Sequence, residues 1–481
     1  MSVGIPKIKI PVKPEEVNLE TIMLYLDTVF GQFEKNSRQI KEYYDFYCLG
    51  HAILTKVRPY NDTQSNNIVL VPTIKAMVDW KTGYTVGNPI KYAQSKSIDT
   101  DDIEILNKYV RSCCKRFVDK EVTKWAYATG VGYYFIEPKS EGVDARTTAP
   151  FELYCREAHT CSKVYSSYGG NKPLFDILYT VHREVDEQKR TIDVKRLDVY
   201  TPTRLYKFKM NVNKWELYEE FIRGLPKPLP LIEKRFSTDG IGIVAMGQEL
   251  QNALDRALSL GLDNVEDVVN AIFVYSNVDL GNDAEERRAN HLEMLNNGAI
   301  AITSGSKDFP ASVDLLSVKL SINELITLCN TINEMFHASL GIPMEMSGTN
   351  SGGTTKSGSE VANGYDNAYN RALDDVNTFL VADTELLEKI MWICKNTANN
   401  PINNLATSEI EIKYSLNLTD NMLTKSQSYV SFIQAGMPPA MALRYTRLSN
   451  DPEAEGKLIE EYRMQLLTTA QPALQTSQEN V

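Results

Sequence analysis

The chain has 481 residues, enough for two or three domains with cores of their own. Its composition, 43% hydrophobic and 23% charged, is that of a folded protein and excludes a disordered chain. A net charge of −11 with no useful Lys/Arg run excludes a protein that grips nucleic acid through many phosphate contacts, though not one that surrounds DNA without holding it.

In chain order, residues 15–57 read as helix, ending near Gly50 and His51. Asn66–Pro72 is an apolar, strand-like run, and Ile74–Trp80 reads as a helix broken by Gly83. Residues 101–125 read as one helix. Tyr133–Glu137, Phe151–Cys155, Phe175–Arg183, Ile192–Tyr200 and Arg204–Met210 follow as strands at hairpin spacing. A Pro-rich break at 224–230 marks a boundary. Ile243–Phe273 then reads as a long helix with Leu250, Leu254, Leu258, Val265, Val268 and Ile272 on one face. Residues 274–318 are mixed: a charged stretch at 283–290, then a short strand at 298–302.

Two amphipathic patterns dominate the rest. Lys319–Leu340 places Ile322, Leu325, Ile326, Cys329, Ile332, Phe336 and Leu340 on one face and stops at Gly341-Ile342-Pro343. Glu360–Lys395 does the same with Val361, Tyr365, Ala368, Ala372, Val376, Phe379, Leu386, Ile390 and Ile393. Between them, Ser347–Ser359 is almost pure Gly, Ser, Thr and Asn, a mobile loop on a rigid frame. Glu409–Leu418 alternates as an isolated strand. Asp420 can cap a helix that Gly436 and Pro438-Pro439 end, and Pro452 opens a last helix to about Leu467. From Thr468 the polar tail reads as disordered. The whole is an α+β chain.

Chemistry is sparse. Gly352–Ser357 imitates a phosphate loop, but Thr355 stands before Lys356 where Gly is needed, and a helix precedes it where a strand is needed. The five histidines show no metal spacing, and His337 reads as a packed or rim residue. Seven scattered cysteines include no CxxC and read as reduced structural thiols. Glu249, Asp255, Asp263, Glu266 and Asp267 could suggest a metal, but read better as a solvated helix face. No cofactor and no enzymatic activity is expected. No run reaches a membrane span, and the first residues, with Pro and Lys, do not form a secretion signal.

Five segments carry a resemblance: Tyr47–His51; Ile74–Trp80 with Gly83–Tyr92, the most specific; Ala128–Tyr134; residues 319–366 with Gly341–Pro343 and Ser357-Gly358; and Gln434–Gly436 through Asp451–Glu455. Their order resembles the portal proteins of tailed bacteriophages, of the long-stem siphophage type, over residues 40–465. The Gly- and Thr-rich loop, and Gly364 and Asn367 in the following helix, depart from the family pattern. The resemblance implies a portal fold: residues 1–235 as wing, 236–273 as first stem helix, 274–318 as clip, 319–343 as second stem helix, 344–358 as tunnel loop, 359–418 as tunnel helix and return to the wing, and 419–467 as a helical crown, with 468–481 as tail. It further implies a homo-oligomer, twelve subunits in a ring at one capsid vertex of the virion, made in the host cytoplasm. Double-stranded DNA would pass through it during packaging and ejection, and terminase, a head-completion adaptor, capsid and scaffold proteins would dock on it, with no membrane involved.

Tunnel-loop residues would then be Ser347, Gly348, Gly352, Gly353, Lys356 and Gly358, with Lys356 the loop's one charge. Glu324 and Glu334, with no Lys or Arg between Ser321 and Leu340, would join Glu249, Asp255, Asp263, Glu266 and Asp267 in an acidic barrel that repels phosphate. The competing expectations are another oligomeric connector or scaffold-associated protein, or a nucleotide-driven motor, which would need the phosphate loop this chain lacks.

Overall fold

The computed structural model describes residues 4–57, 66–94, 101–139, 148–185, 191–211, 214–223, 227–269, 272–276, 283–297, 312–316, 322–342, 358–416, 422–446, 448–449 and 452–475. Three cores organise them. The first closes a six-stranded sheet against a helix. Strands β1 (Ile8–Ile10), β5 (Cys161–Ser166), β6 (Pro173–Val185), β7 (Thr191–Tyr200), β8 (Arg204–Asn211) and β9 (Lys214–Ile222) lie in that order, with β1 parallel to β5 and the other pairs antiparallel. Helix α1 (Leu19–Tyr47) starts at Asn18, whose side chain accepts the Thr21 N–H at 2.8 Å. Its Ile22, Leu26, Val29 and Phe33 pack on Ile177, Leu197, Val199 and Phe208 of the sheet.

The second sheet, β10 (Leu231–Arg235), β3 (Val131–Pro138) and β4 (Phe151–Arg156), is buried on both sides. The period of two along β3 assigns its residues to two cores. Tyr133 and Phe135 join α1, α2 (Thr73–Val86), α4 (Lys115–Thr129), the start of α5 (Ile243–Val269) and the end of α7 (Ile322–Leu340). Tyr134 and Ile136 join α3 (Asp101–Ser112), α4 and the C-terminal half of α8 (Gly358–Lys395). Gly132 is required here, since a Cβ would fall 2.2 Å from the carbonyl oxygen of Val122 on α4.

Several sequence expectations need correction. The helix over 15–57 stops at Tyr47, and only a 3-10 turn, Ala52–Thr55, follows. Residues 101–125 are two helices, because Cys114 takes a left-handed φ of 52° between them, a break carrying no Gly or Pro signal. Helix α2 runs through Gly83, since burying Tyr84 and Val86 outweighs the roughly 1 kcal/mol cost of a helical glycine. The charged stretch at 283–290 lies in a helix, α6 (Ala284–Asn297), between the paired strands β11 (Ile272–Ser276) and β12 (Ser312–Leu316). The 298–302 strand lies outside the described residues. The 409–418 strand is not isolated: β13 (Ile410–Lys413) pairs with β2 (Lys91–Gln94). Helix α9 (Met422–Gln434) ends at Gly436, φ +85°, and Pro439 opens α10 (Pro439–Thr446). The last helix, α11 (Pro452–Gln475), continues well past Leu467 into the expected tail.

Candidate functional site

The long helices carry the residues that sequence reasoning singled out. α5 and α7 run antiparallel through two small-residue contacts. A Cβ on Gly247 would meet Phe336 at 2.9 Å, and one on Gly261 would meet Leu325 at 2.2 Å, so both glycines let α7 lie close. Leu254, Ile332, Phe336 and Leu340 fill the seam.

A second face of α5 does something the sequence reading missed. Gln251, Asp255, Ser259 and Asp263 recur every four residues, about 6 Å along the helix. Residues 66–72 run beside them in the opposite direction. The Val71 N–H donates to Asp255 Oδ1 at 3.0 Å, Val69 N–H to Ser259 Oγ at 2.9 Å and Asn67 N–H to Asp263 Oδ1 at 2.6 Å. The amide of Gln251 donates back to the Val71 carbonyl at 2.7 Å, and its Oε1 accepts the Ile74 N–H at 3.2 Å. Two extended residues advance ~6.6 Å, so strand and helix repeats match closely enough for helix side chains to replace a partner strand. The strand-like run therefore pairs with side chains of α5 and, among the described residues, belongs to no sheet. The legible signal was the four-residue spacing of hydrogen-bonding side chains opposite a β-branched run.

This ladder overturns the shared assignment of the acids. Asp255 and Asp263 are 0% exposed. Asp255 Oδ2 lies 2.6 Å from His51 Nδ1, and Asp263 Oδ2 accepts from Lys56 Nζ at 2.5 Å. They form neither a solvated face nor a channel lining, because every oxygen is committed to backbone amides or to the His51 and Lys56 side chains. Glu249, Glu266, Glu324 and Glu334 are exposed, with Arg256 the exposed cation on α5. Glu266 also accepts from the Asn67 side chain at 2.9 Å. Asp267 lies in α5, and its side chain is outside the description.

Of the loop residues, Ser347, Gly348, Gly352, Gly353 and Lys356 lie outside the described residues, and Gly358 is the first residue of α8. The base of the loop is described. Gly341 takes φ +64°, and the Ile342 N–H donates to the His337 carbonyl at 3.1 Å. His337 Nδ1 donates to the Ile342 carbonyl at 2.9 Å, which makes His337 a packed residue, 7% exposed. Arg371 of α8 reaches across to the Ser339 carbonyl at 2.9 Å, a cation at the negative end of α7.

α8 is bolted beyond that point. Lys81 Nζ reaches Asp375 at 2.8 Å, Lys234 reaches Asp383 at 3.4 Å, and Glu385 accepts from Lys163 at 2.5 Å and Lys389 at 2.8 Å. Lys389 also donates to the Leu231 carbonyl at 2.7 Å. Burial, reinforced by Lys163, pushes the Lys389 ammonium down to about 8. Burial lowers Lys234 as well, against the pull of Asp383. For Glu385 burial acts upward, but Lys163 and Lys389 together hold it below the usual carboxylate range. A cavity of about 1400 Å³ between residues 4–9 and α8 is walled in part by the paired Lys163, Glu385 and Lys389, and by Lys7, Lys9, Asp239 and Glu388 as well. Among the described residues no group of three His, Cys, Asp or Glu could hold a metal, and no helix is long and apolar enough to cross a membrane.

The chain is similar to a chain in the neck of an empty GTA particle, at 12% identity over 78% of this chain and 89% of that one, with a TM-score of 0.40. A chain in the virion of the native gene transfer agent particle is also 12% identical, over 85% and 99%, with a TM-score of 0.41. No curated protein matches. A family model described as phage portal protein, SPP1 Gp6-like, matches residues 26–465. With nearly the whole chain matched, the protein belongs to the SPP1 Gp6-like phage portal family and is a portal protein of the head–tail connector.

Proposed function

We propose that the chain forms a ring, of twelve subunits in the virion, at one capsid vertex, and that double-stranded DNA passes through its centre during packaging and ejection. The family match over residues 26–465 carries this reading. In it, residues 1–235 form the wing, α5 and α7 the stem, residues 274–318 the clip, 344–358 the tunnel loop, 359–418 the tunnel helix and its return to the wing, and 419–467 the crown. Terminase, then a head-completion adaptor, would dock on the ring, with capsid and scaffold proteins around it.

The exposed faces of α5 and α7 support it. Met246, Leu260, Leu262 and Val265 on α5 and Ile326, Leu328 and Met335 on α7 are each more than two-fifths exposed, apolar surface of the kind that subunits cover. Ile326 and Val265, read on the apolar faces of their helices, are 52% and 48% exposed. The exposed acids Glu249, Glu266, Glu324 and Glu334 would line the conduit and weaken its adhesion to phosphate. Lys356 would meet the DNA transiently.

Light scattering and electron micrographs of the purified protein test the ring: a strict monomer at every salt concentration sinks it. Lys356→Glu should assemble normally but impair packaging or retention, and normal yields of full-length genome would remove the loop's DNA role. The protein should hydrolyse no ATP, and nucleotide binding abolished by Lys356→Ala would overturn that.

A further inference from the structure

We infer that the cavity between β1, β5, β10 and α8 is a binding site for an organic oxyanion, one carrying carboxylate or phosphate groups, with Lys7 as its charge partner. The inference is independent of the ring reading and goes beyond it by giving the subunit a ligand.

Strand alternation puts cations on one wall. Ile8 and Ile10 of β1 and Val164 of β5 lie in the core beneath α1, so the residues next to them face the opposite way. Those residues include Lys7, Lys9, Lys163 and Tyr165, and all four line the cavity. Arg235 of β10 and Lys389 of α8 bring two more cations. Most of these charges are matched. Lys163 and Lys389 share Glu385, and Arg235 holds Glu233 at 2.9 Å. Glu233 also accepts from the Tyr165 and Tyr133 hydroxyls, at 2.6 and 3.1 Å, so three donors already hold it. Lys7 differs. Its ammonium stands 4.7 Å from the centre of the Tyr165 ring and, among the described residues, forms no ion pair or hydrogen bond.

Burial holds the Lys7 ammonium below its usual range, and Arg235, Lys9 and Lys163 push it the same way against the pull of Glu233. Asp239 and Glu388 also line the cavity but act on Lys7 less than these four. A half-buried ammonium among three cations, with one strongly acting carboxylate that three donors already hold, is short of negative charge. An oxyanion placed there accepts from Lys7 and offsets the repulsion among the four cations. The rest of the wall sets the remainder of the ligand. Val381 is 75% exposed, and Trp392, Leu229 and Pro173 line the same space. A cleft that sets a few charged groups among apolar side chains suits an organic ligand. At about 1400 Å³ the space also exceeds the need of a single inorganic ion, so the anionic group belongs to a larger molecule.

Isothermal titration of the purified protein with phenyl phosphate and with phthalate, two aromatic dianions, at constant ionic strength tests this. At least one should bind saturably, one per chain, with a dissociation constant below about 10 mM. Lys7→Gln should weaken that binding at least about tenfold, the loss of one charge-assisted hydrogen bond. It should leave the thermal midpoint of the ligand-free protein unchanged, since Lys7 has no partner among the described residues. Lys7→Arg keeps the charge and should keep the binding. Lys120→Gln, at an exposed lysine of α4 away from the cavity, should bind as wild type does. Binding of phthalate alone assigns carboxylates to the site, of phenyl phosphate alone phosphates, and of both either group. No saturation by either dianion, or equal losses from Lys7→Gln and Lys120→Gln, overturns the site. Should Lys7→Gln misfold, labelling of the wild type with acetic anhydride decides: a bound dianion should protect Lys7 and not Lys120, and equal labelling of Lys7 with and without the dianion overturns the site.

Discussion

α8 and α5 are both long helices carrying buried acids, and they use them differently. On α8 the acids meet lysines from distant parts of the chain: Lys81, Lys163 and Lys234 reach Asp375, Glu385 and Asp383. On α5 the acids chiefly meet backbone amides of one extended segment, with His51 and Lys56 completing them. The first arrangement fixes a helix to a sheet through charge. The second replaces a missing strand. Breaking α8's pairs should therefore strand a charge in the core, while breaking α5's ladder should strand neutral donors and loosen one segment.

The largest effect follows from that distinction. Asp383→Ala leaves the fully buried Lys234 without its carboxylate, beside Tyr134 and Tyr414. Removing one partner of a buried pair costs about 3–5 kcal/mol, so denaturant unfolding should show a loss of that order. Replacing both residues with apolar ones should recover much of it, and failure to recover would mean the pair does more than neutralise itself.

Next in size is a pH effect on the group formed by Lys163, Glu385 and Lys389 with Asp176. Burial raises the Asp176 carboxyl to about 6, against the pull of Lys163, Lys389 and the Leu231 N–H. A folded pKa above the unfolded value means stability present at low pH and lost as pH rises. Asp176 should contribute fully below about pH 4 and lose that contribution by about pH 6, for roughly 3 kcal/mol at 1.4 per unit. Asp176→Asn keeps an acceptor for the Leu231 N–H and should flatten the thermal midpoint between pH 4 and 6. An unchanged pH profile would remove Asp176 from the account.

On α5, Asp255→Ala leaves the Val71 N–H and His51 without their acceptor, at about 2 kcal/mol. Glu249→Ala, on the same helix but exposed, should stay within about 0.5 kcal/mol. Equal losses for the two would erase the difference between α5's faces. Amide exchange should localise the Asp255→Ala damage to residues 66–72, whereas Asp383→Ala should lower protection across β10 and α8.

That difference also marks how far the sequence was legible. Apolar periodicity located α5, α7 and α8 because their core faces obey the helical repeat. The sheet strands from β6 to β8 were legible from alternation. β1, β5 and β10 were not: β1 alternates over only three residues, and β5 and β10 are buried on both faces and show no clean alternation. Cys114 broke a helix silently, because its left-handed conformation carries no Gly or Pro signal in the sequence. Among the site residues, net charge could place an acid on α5 but not on a face. Asp255 and Asp263 differ from Glu249 only through residues nearly two hundred positions earlier, which periodicity within α5 cannot see.

A smaller loss than that of Asp255→Ala is expected at the loop base, where α7 and α8 meet. Arg371→Ala removes the α8 cation from the last turn of α7 and one exposed hydrogen bond to Ser339, about 1 kcal/mol or less. Gly341→Ala acts on the same contact from the other side. Its Cβ would stand 2.1 Å from Arg371 Cδ, and its φ of +64° adds about 1–2 kcal/mol of backbone strain. Because Arg371 is a long side chain, the clash can be relieved by moving it off Ser339, so the two substitutions share one cost. The double variant should lose less than the sum of the singles by at least about 0.5 kcal/mol, as residues in contact do. Strict additivity in a double-mutant cycle would show that Arg371 does not hold the turn at Gly341, and that the Ile342 N–H and His337 hold the loop base unaided.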